Sequence, residues 1–405
     1  MKNIWIINQY TGSPYYGMNY RSYYLAKEFV KQEYNVTIFA GSYSHLFTNI
    51  PKTNGLFTNE KIDDIDYVWV KTPKYKSSKS IGRVLNMLIF MINLLFFNIF
   101  KIKKPDVIIV SSLSLFPVLN AYIWSKIFKI EFIFEVRDIW PLSLIELGNF
   151  SKYHPLVLFL GWFEKFGYKK AKYVVSLLPN AKEHMVSRGM DEKKFRYIPN
   201  GINLDEVQNY EEISKELLSK VPKDKFIVGY VGTIGIANAL EYFMQSANKL
   251  KENDRIHFII VGKGGEKQKL QEYCDFNNLT NVTFIEPIPK IQVQGMLKYF
   301  DVCYIGLKKE KLFKFGVSPN KLFDYMYSSK PIIFAIETKE SLVEISKSGI
   351  SIKSEDSEAI KNAVLKLFNT ENKKLDKMGI CGHKYVINNH IYKKLTMKYI
   401  KLIEG

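Results

Sequence analysis

The 405-residue chain is poor in cysteine: Cys274, Cys303 and Cys381 are its only three. Their number is odd and no two share a close spacing. That excludes a disulfide framework and a cysteine-based metal site, and it fits a reducing compartment. Walker A is missing. Counting G-x-G-x-x-G from Gly262 puts Lys267 where the last glycine would stand, so a dinucleotide fingerprint is missing too. No RNP, helix-turn-helix or zinc-finger pattern points to nucleic acid. Lys2 is followed almost at once by a buried-strand pattern, Ile4 to Ile7, which does not read as a secretory leader. Short repeats and low-complexity tracts are lacking. Acidic residues are scarce in one half: residues 1–200 hold 27 Lys and Arg against 15 Asp and Glu, which is +12 of the chain's net +18. Tryptophan is absent beyond Trp162. A basic, aromatic-rich first half predicts an anionic surface as partner, and without a nucleic-acid motif that surface is membrane lipid.

What is present is the pattern of an ordinary globular protein, 47% hydrophobic and 24% charged, long enough for two domains. Ile4–Ile7, a polar loop, a helix over Arg21 to Glu33 and Val36–Phe39 form a βαβ unit, which implies a parallel sheet. Further strands are predicted at Tyr67–Val70, Val107–Val110, Phe132–Val136, Val174–Leu177 and Arg196–Ile198. Residues 203 to 225 are polar and read as a linker. A second series follows: Val228–Val231, Phe258–Val261, Val282–Ile285, Val302–Ile305 and Ile332–Phe334. The fold class is therefore α/β, two Rossmann-like domains with parallel sheets, over residues 1–205 and 206–390. A last helix from about Ile391 to Gly405 is expected to return to the first domain. Val84 to Ile102 is almost wholly apolar, but Asn86, Asn93 and Asn98 interrupt it. Lys74, Lys76, Lys79, Arg83, Lys101, Lys103 and Lys104 crowd its ends. It reads as a helix on the sheet whose outer face enters the lipid interface; a plain buried helix and a membrane span are the alternatives.

The stretch from Leu312 to Ala335 carries the most chemistry. Ser318 and Pro319 predict a hydroxyl N-cap and a proline first turn. Lys321 then stands in that first turn, where the dipole and free amides favour anions. A phosphate bound between them would explain it; a Lys321–Asp324 ion pair is the alternative. Ligands in such sheets bind at the carboxyl ends of strands. Gly12 to Gly17 follows the first strand and offers backbone donors. Arg137-Asp138-Ile139-Trp140-Pro141 follows the Phe132–Val136 strand; a salt bridge between Arg137 and Asp138 competes there with a role in substrate binding. Asn200-Gly201 closes the first domain. Gly232-Thr233-Ile234-Gly235 and Gly262-Lys263-Gly264-Gly265 follow strands of the second, and Glu286 opens a proline-rich loop. Asp64-Ile65-Asp66 has the form of a metal motif but sits in a charged loop, and Gly382-His383 sits in a helical region; both read as surface features.

Taken together, these residues resemble the retaining glycosyltransferases of family 4, which have the GT-B fold. The match runs nearly end to end. It rests on Asn200-Gly201-Ile202, the Gly232 and Gly262 loops, and the Lys321–Asp324 helix followed by Ser329-Lys330-Pro331-Ile332. Arg137 to Pro141, Gly232 to Gly235 and Ser318 to Lys321 look like the bacterial surface-polysaccharide branch, which includes fucosamine-transferase-like enzymes. The family often has two glutamates separated by seven residues. Here Asp324 takes the second place and Gly316 the first. No Arg occurs between Gly232 and Gly235, and Arg137-Asp138 stands where many relatives carry a His.

The resemblance implies two domains facing across a cleft. It implies a donor site of Gly232, Thr233, Gly235, Gly262, Lys263, Glu286, Gly316, Val317, Ser318, Asn320, Lys321 and Asp324. Lys321 would face the diphosphate and Asp324 the ribose. The acceptor side would use Gly12, Gly17, Asn19, Arg21 and Asn200, with Asp138, Arg137 and Lys321 carrying the chemistry. No metal and no cofactor are expected. The expected partners are a nucleotide-sugar, with uridine diphosphate the commonest in this branch, an undecaprenyl-diphosphate-linked sugar, and an anionic membrane surface. The expected location is cytoplasmic, on the inner face of the bacterial inner membrane, in O-antigen or capsule synthesis. A nucleotide-sugar epimerase of the same fold and a membrane-associated binding protein without catalysis are the rivals.

Overall fold

A computed structural model describes residues 2–17, 19–76, 80–112 and 114–405. Lys79, one of the expected basic flank residues, lies outside the described residues. The chain divides into two compact units, one of residues 1–199 with 392–405, the other of residues 200–391.

The first unit holds β1 (Asn3–Ile7), β2 (Asn35–Gly41), β3 (Phe57–Ile62), β4 (Ile65–Val70), β5 (Val107–Ser111), β6 (Glu131–Val136), β7 (Tyr173–Ser176) and β8 (Phe195–Tyr197). They lie in the order β3-β4-β2-β1-β5-β6-β7-β8, all parallel except the β3–β4 pair. The central strands are apolar on both faces because helices cover both. β3 is different: its sequence, Phe-Thr-Asn-Glu-Lys-Ile, is polar and lies at the edge. Asp63 and Asp64, both with positive φ, make the two-residue turn into β4, the backbone that a tight hairpin needs. Asp64 pairs with Lys61 at 3.4 Å, so the Asp-x-Asp sequence belongs to a surface hairpin.

The helix Arg21–Lys31 and the final helix Tyr392–Glu404 pack together on one face of this sheet. Tyr392, Leu395, Tyr399 and Ile400 share a core with Ile4, Ile6, Phe29 and Ile38. On the other face, the predicted helix over 84–102 is shorter than expected. It runs Ile81–Leu95, and a separate turn covers Ile99–Lys101. The break has a cause: the Asn98 side chain accepts the Phe100 N–H and caps the new turn. The other asparagines are also satisfied. Asn86 Nδ2 donates to the Pro73 carbonyl, Asn93 Nδ2 to that of Lys71, and Gln9 Nε2 donates to Asn86 Oδ1. No helix among the described residues is long and apolar enough to cross a membrane.

The second unit holds β9 (Phe226–Val231), β10 (Ile256–Val261), β11 (Val282–Ile285), β12 (Val302–Gly306), β13 (Ile332–Ala335) and β14 (Gly349–Ile352), all parallel, in the order β11-β10-β9-β12-β13-β14. Alternate residues of these strands feed two cores. Ile227, Ile259, Cys303 and Ile332 face one side, and Val228, Phe258, Tyr304 and Ile333 the other. The order reverses between β9 and β12, which is where a doubly wound sheet opens a crevice at its carboxyl edge. Residues 203–225 are not a free linker. They form two short helices, Leu204–Gln208 and Lys215–Leu218, and Val207, Ile213 and Val221 enter the core of this unit. Ile202 bridges in parallel to Ile391, so the chain enters and leaves the unit at one place.

Candidate active site

Lys321 is the second residue of the helix Asn320–Tyr327. The preceding turn is not capped as expected. Pro319 occupies the N-cap position with no side-chain bond, and the Ser318 hydroxyl instead accepts the Asn200 N–H at 2.9 Å. Asn200 Nδ2 also donates to the Ser318 carbonyl at 2.8 Å, and the His390 ring bonds the Asn200 carbonyl. Asn200 therefore belongs to the second unit and fixes the turn before Lys321; its expected place on the acceptor side is corrected. Lys321 does not pair with Asp324. Its Nζ donates to the Tyr230 hydroxyl at 2.6 Å and to Asn238 Oδ1 at 2.8 Å, and lies 4.3 Å from the Tyr230 ring centroid. Desolvation by the surrounding protein, although the side chain keeps some exposure, brings its pKa down to about 7. The cation has polar acceptors and no anion among the described residues.

Tyr230 stands near the end of β9 and donates to the Thr233 carbonyl at 2.7 Å; Asn238 Nδ2 donates to the same oxygen. Gly232 lies between these groups. A Cβ there would sit 3.1 Å from Lys321 Nζ, and φ is +153°, so glycine keeps the lysine in place. Gly262 has φ of +151°, and a Cβ would meet the Gly232 carbonyl at 1.9 Å. The two loops lie edge to edge: the Ile234 N–H donates to the Lys263 carbonyl. Thr233 and Lys263 are exposed beside them, and Gly235 is half-buried. Gly316 has φ of +95°, a glycine conformation, so a glutamate at that place would be strained. Val317 is half-buried and Asn320 exposed. Asp324 is buried, with Lys290 as its ion-pair partner. Glu286 is at the rim, 76% exposed on its side chain and paired with Lys267. Tyr230, Asn238 and Lys290 were not singled out from sequence. Tyr230 had a signal: a hydroxyl in an otherwise apolar strand, two residues before the glycine of the loop.

In the first unit the reversal of strand order falls between β1 and β5, and the carboxyl ends of β1, β5 and β6 lie side by side. Two expectations for the Gly12–Gly17 loop are corrected. The Gly12 and Gly17 amides are already bonded, to the carbonyls of Asn19 and Ser13, and both residues are buried. They are not free donors, because the loop must satisfy its own buried backbone. Arg21 is also corrected as an acceptor contact. It is 2% exposed, pairs with Glu135 at 2.9 Å and donates to the carbonyls of Ile198 and Pro199. Burial raises the pKa of Glu135, but Arg21, Arg137 and hydrogen bonds from Tyr399 and Arg21 outweigh it, so the carboxyl lies below its usual range. Tyr399 comes from the last helix, and this buried group locks that helix to the sheet.

Arg137 is left half-buried at the end of β6. Its Nη1 donates to Asn19 Oδ1 at 2.6 Å, and its N–H to Ser112 Oγ. The expected alternative of a salt bridge to Asp138 is not formed. Asp138 is exposed; its carbonyl accepts the Trp140 N–H, but its carboxylate makes no hydrogen bond or ion pair among the described residues. The protein around it still desolvates the carboxyl and raises its pKa, against the pull of Arg137 and Arg83. Arg83 and Tyr10 beside it were also missed as site residues.

Residues 15–206 match the model of Glycosyltransferase Family 4, and residues 225–370 match that of Glycosyl transferases group 1. Both matched segments are thus glycosyltransferase segments, and the fold of two parallel α/β units is GT-B. An uncharacterised glycosyltransferase of Methanocaldococcus jannaschii is 25% identical over 383 residues, 92% of this chain and 90% of its own length. WcaI of Escherichia coli, a putative colanic acid biosynthesis glycosyl transferase, is 24% identical over 224 residues; that match spans 54% of either chain. Among solved structures, the E. coli trehalose-6-phosphate structure bound with UDP-2-fluoro glucose superposes with a TM-score of 0.74 at 9% identity, covering 100% of this chain and 99% of that one. This last likeness is one of fold.

Proposed function

We propose that this glycosyltransferase moves a sugar from a uridine-diphosphate-linked donor to a lipid-linked saccharide, with retention of configuration, at the inner face of a bacterial membrane. The observation that carries the donor half is Lys321: a desolvated cation beside a glycine loop, held by Tyr230 and Asn238 and paired with no acid among the described residues. The leaving group is a diphosphate whose negative charge grows as the glycosidic bond breaks. Fixed donors in a desolvated place stabilise that charge best. Lys321, the start of the Asn320–Tyr327 helix and, in the Gly232–Gly235 loop, the Thr233 and Gly235 amides supply them, the Gly232 and Ile234 amides being already bonded. Asp324, oriented by Lys290, accepts from the ribose hydroxyls. Asp138 positions the acceptor hydroxyl. Solved relatives of the fold bind UDP and UDP-glucose, which supports the choice of nucleotide. The colanic acid relative supports a role in polysaccharide synthesis, O-antigen or capsule.

The test is a panel of nucleotide-sugars assayed for released nucleoside diphosphate, with and without lipid-diphosphate sugars. Release that depends on both a UDP-sugar and the lipid acceptor is expected. Interconversion of the donor sugar without release would assign an epimerase instead. Release from no donor would remove the catalytic reading.

A further inference from the structure

Lys321 Nζ has two acceptors, both neutral and both already committed. The Tyr230 hydroxyl spends its hydrogen on the Thr233 carbonyl at 2.7 Å, and Asn238 Nδ2 donates to the same oxygen at 3.0 Å. Each therefore turns a lone pair, not a hydrogen, toward Lys321. An ammonium carries three N–H donors. Two are taken, and the third has no acceptor among the described residues. A neutral amine carries two hydrogens, which the same two acceptors satisfy in full. The surroundings thus hold either form, and no anion among the described residues favours the charged one. The carboxylates on the elements packed around it are engaged elsewhere: Asp324 with Lys290, Glu241 with Lys308, Glu266 with Lys269 and Glu286 with Lys267. Lys263, on the neighbouring loop, is exposed and of like sign. Tyr230 keeps its proton, because burial raises its pKa. Desolvation, unopposed, brings the Lys321 pKa down to about 7.

We propose that the donor's diphosphate docks together with a proton from solvent, taken up by Lys321, and that this proton leaves again with the nucleoside diphosphate. This rests on the donor reading above and adds how that site is loaded and emptied. A phosphate oxygen entering beside Gly232 supplies both a third acceptor and a counter-charge, and each favours the ammonium. The amine, one proton and the diphosphate stand on one side of the balance, the ammonium–diphosphate pair on the other. No covalent bond is made or broken at the lysine apart from that N–H. Because the bound state holds the extra proton, affinity falls as pH rises above about 7. Alkaline pH therefore eases release of the product, and neutral pH favours capture of the donor.

The experiment is calorimetric titration of UDP at pH 8 in two buffers of different ionisation enthalpy, Tris and HEPES, on the wild-type chain, Lys321→Arg and Asn238→Asp. UDP is fully ionised there, its last phosphate proton leaving at about pH 6, so a proton taken up goes to the protein. The wild type should take up roughly 0.9 proton, as a group of pKa about 7 requires, and its Kd should rise about tenfold per pH unit between pH 8 and 9. Arginine stays charged, so Lys321→Arg should bind without uptake. Asn238→Asp sets an acid against Lys321, so the charged form is present beforehand and uptake should vanish there too. Carbon NMR of the lysine side chains, with Lys321→Arg identifying the signal, should show a midpoint near 7 without UDP and one well above it with UDP. A midpoint near 10.5 without UDP overturns the inference even where a variant fails to bind. UDP bound by the wild type with no uptake overturns it and leaves the donor reading standing. Uptake that persists in both variants puts the proton on another group and overturns it as well. No UDP binding by the wild type overturns both readings.

Discussion

Lys321 and Asp138 are two ionisable residues with shifted pKa values and, among the described residues, no partner of opposite charge in bonding distance. For Lys321 the folded pKa is about 7 against 10.5 unfolded. The unfolded chain therefore holds one more proton between those values, and stability gained from this group rises with pH across that window. Its burden is full below pH 7 and gone above about 10.5. Lys321→Met should raise the melting temperature of the free protein most near pH 6 and hardly at all near pH 10; an equal shift at both would contradict the assignment. For Asp138 the account expects Asp138→Asn to leave the melting temperature normal or slightly raised, since no bond is lost and a desolvated charge is removed. kcat should fall strongly. In the wild type, the acid limb of kcat/KM should lie above the range of an ordinary aspartate. A lower melting temperature with normal turnover would make Asp138 structural. Arg21 behaves oppositely. Removing it strands the buried Glu135, a loss of roughly 3–5 kcal/mol. Arg21→Met should unfold early, with turnover per folded molecule intact; acceptor KM rising in a well-folded variant would restore Arg21 to the site. The wild-type pair itself weakens only in acid, as Glu135 is protonated below its depressed pKa.

At the scale of elements, the helix Ile81–Leu95 spans about 22 Å, short of the ~30 Å hydrocarbon layer. Its outer face exposes Leu85, Ile92 and Leu95, and Phe96 and Phe100 continue the apolar strip beyond its end. The helix Pro155–Lys170 adds Leu158, Phe159 and Trp162. Exposed Lys74, Lys76, Lys101, Lys103 and Lys104 flank the first of these helices. Each basic residue at an anionic surface contributes ~1 kcal/mol, screened by salt. Vesicle co-sedimentation should show binding to anionic lipid at low salt and release at high salt. Absence of binding at low salt would remove the membrane from the account, and binding that survives alkaline carbonate would mean true insertion. The asparagines explain why sequence overran this helix. Asn86 and Asn93 are tolerated because nearby carbonyls receive their side chains, whereas Asn98 bonds its own backbone and starts a new turn.

Across the whole molecule, the apolar parallel strands were legible because burial on both faces leaves long Val, Ile and Phe runs. β3 and β14 were not, because one is a polar edge strand and the other a short, half-buried one. The 203–225 segment misled for a related reason. Its charges are on the surface, while three widely spaced apolar residues do the packing. The site was legible where a residue broke a local rule, as Lys321 does in a first helical turn. It was not legible where partners come from distant segments: Asn200 on Ser318, Glu135 between Arg21 and Tyr399, Tyr230 under Lys321. The central claim is that the end of β9 and the Asn320–Tyr327 helix together bind a nucleoside diphosphate through Lys321. Its most direct test is titration of UDP onto the wild-type chain and Lys321→Ala, beside thermal melts of the free proteins. The account predicts that Lys321→Ala melts at the same temperature or higher and binds UDP roughly 10- to 150-fold more weakly. Equal UDP affinity in the two proteins, or a Lys321→Ala chain that melts lower and binds UDP normally, would contradict it.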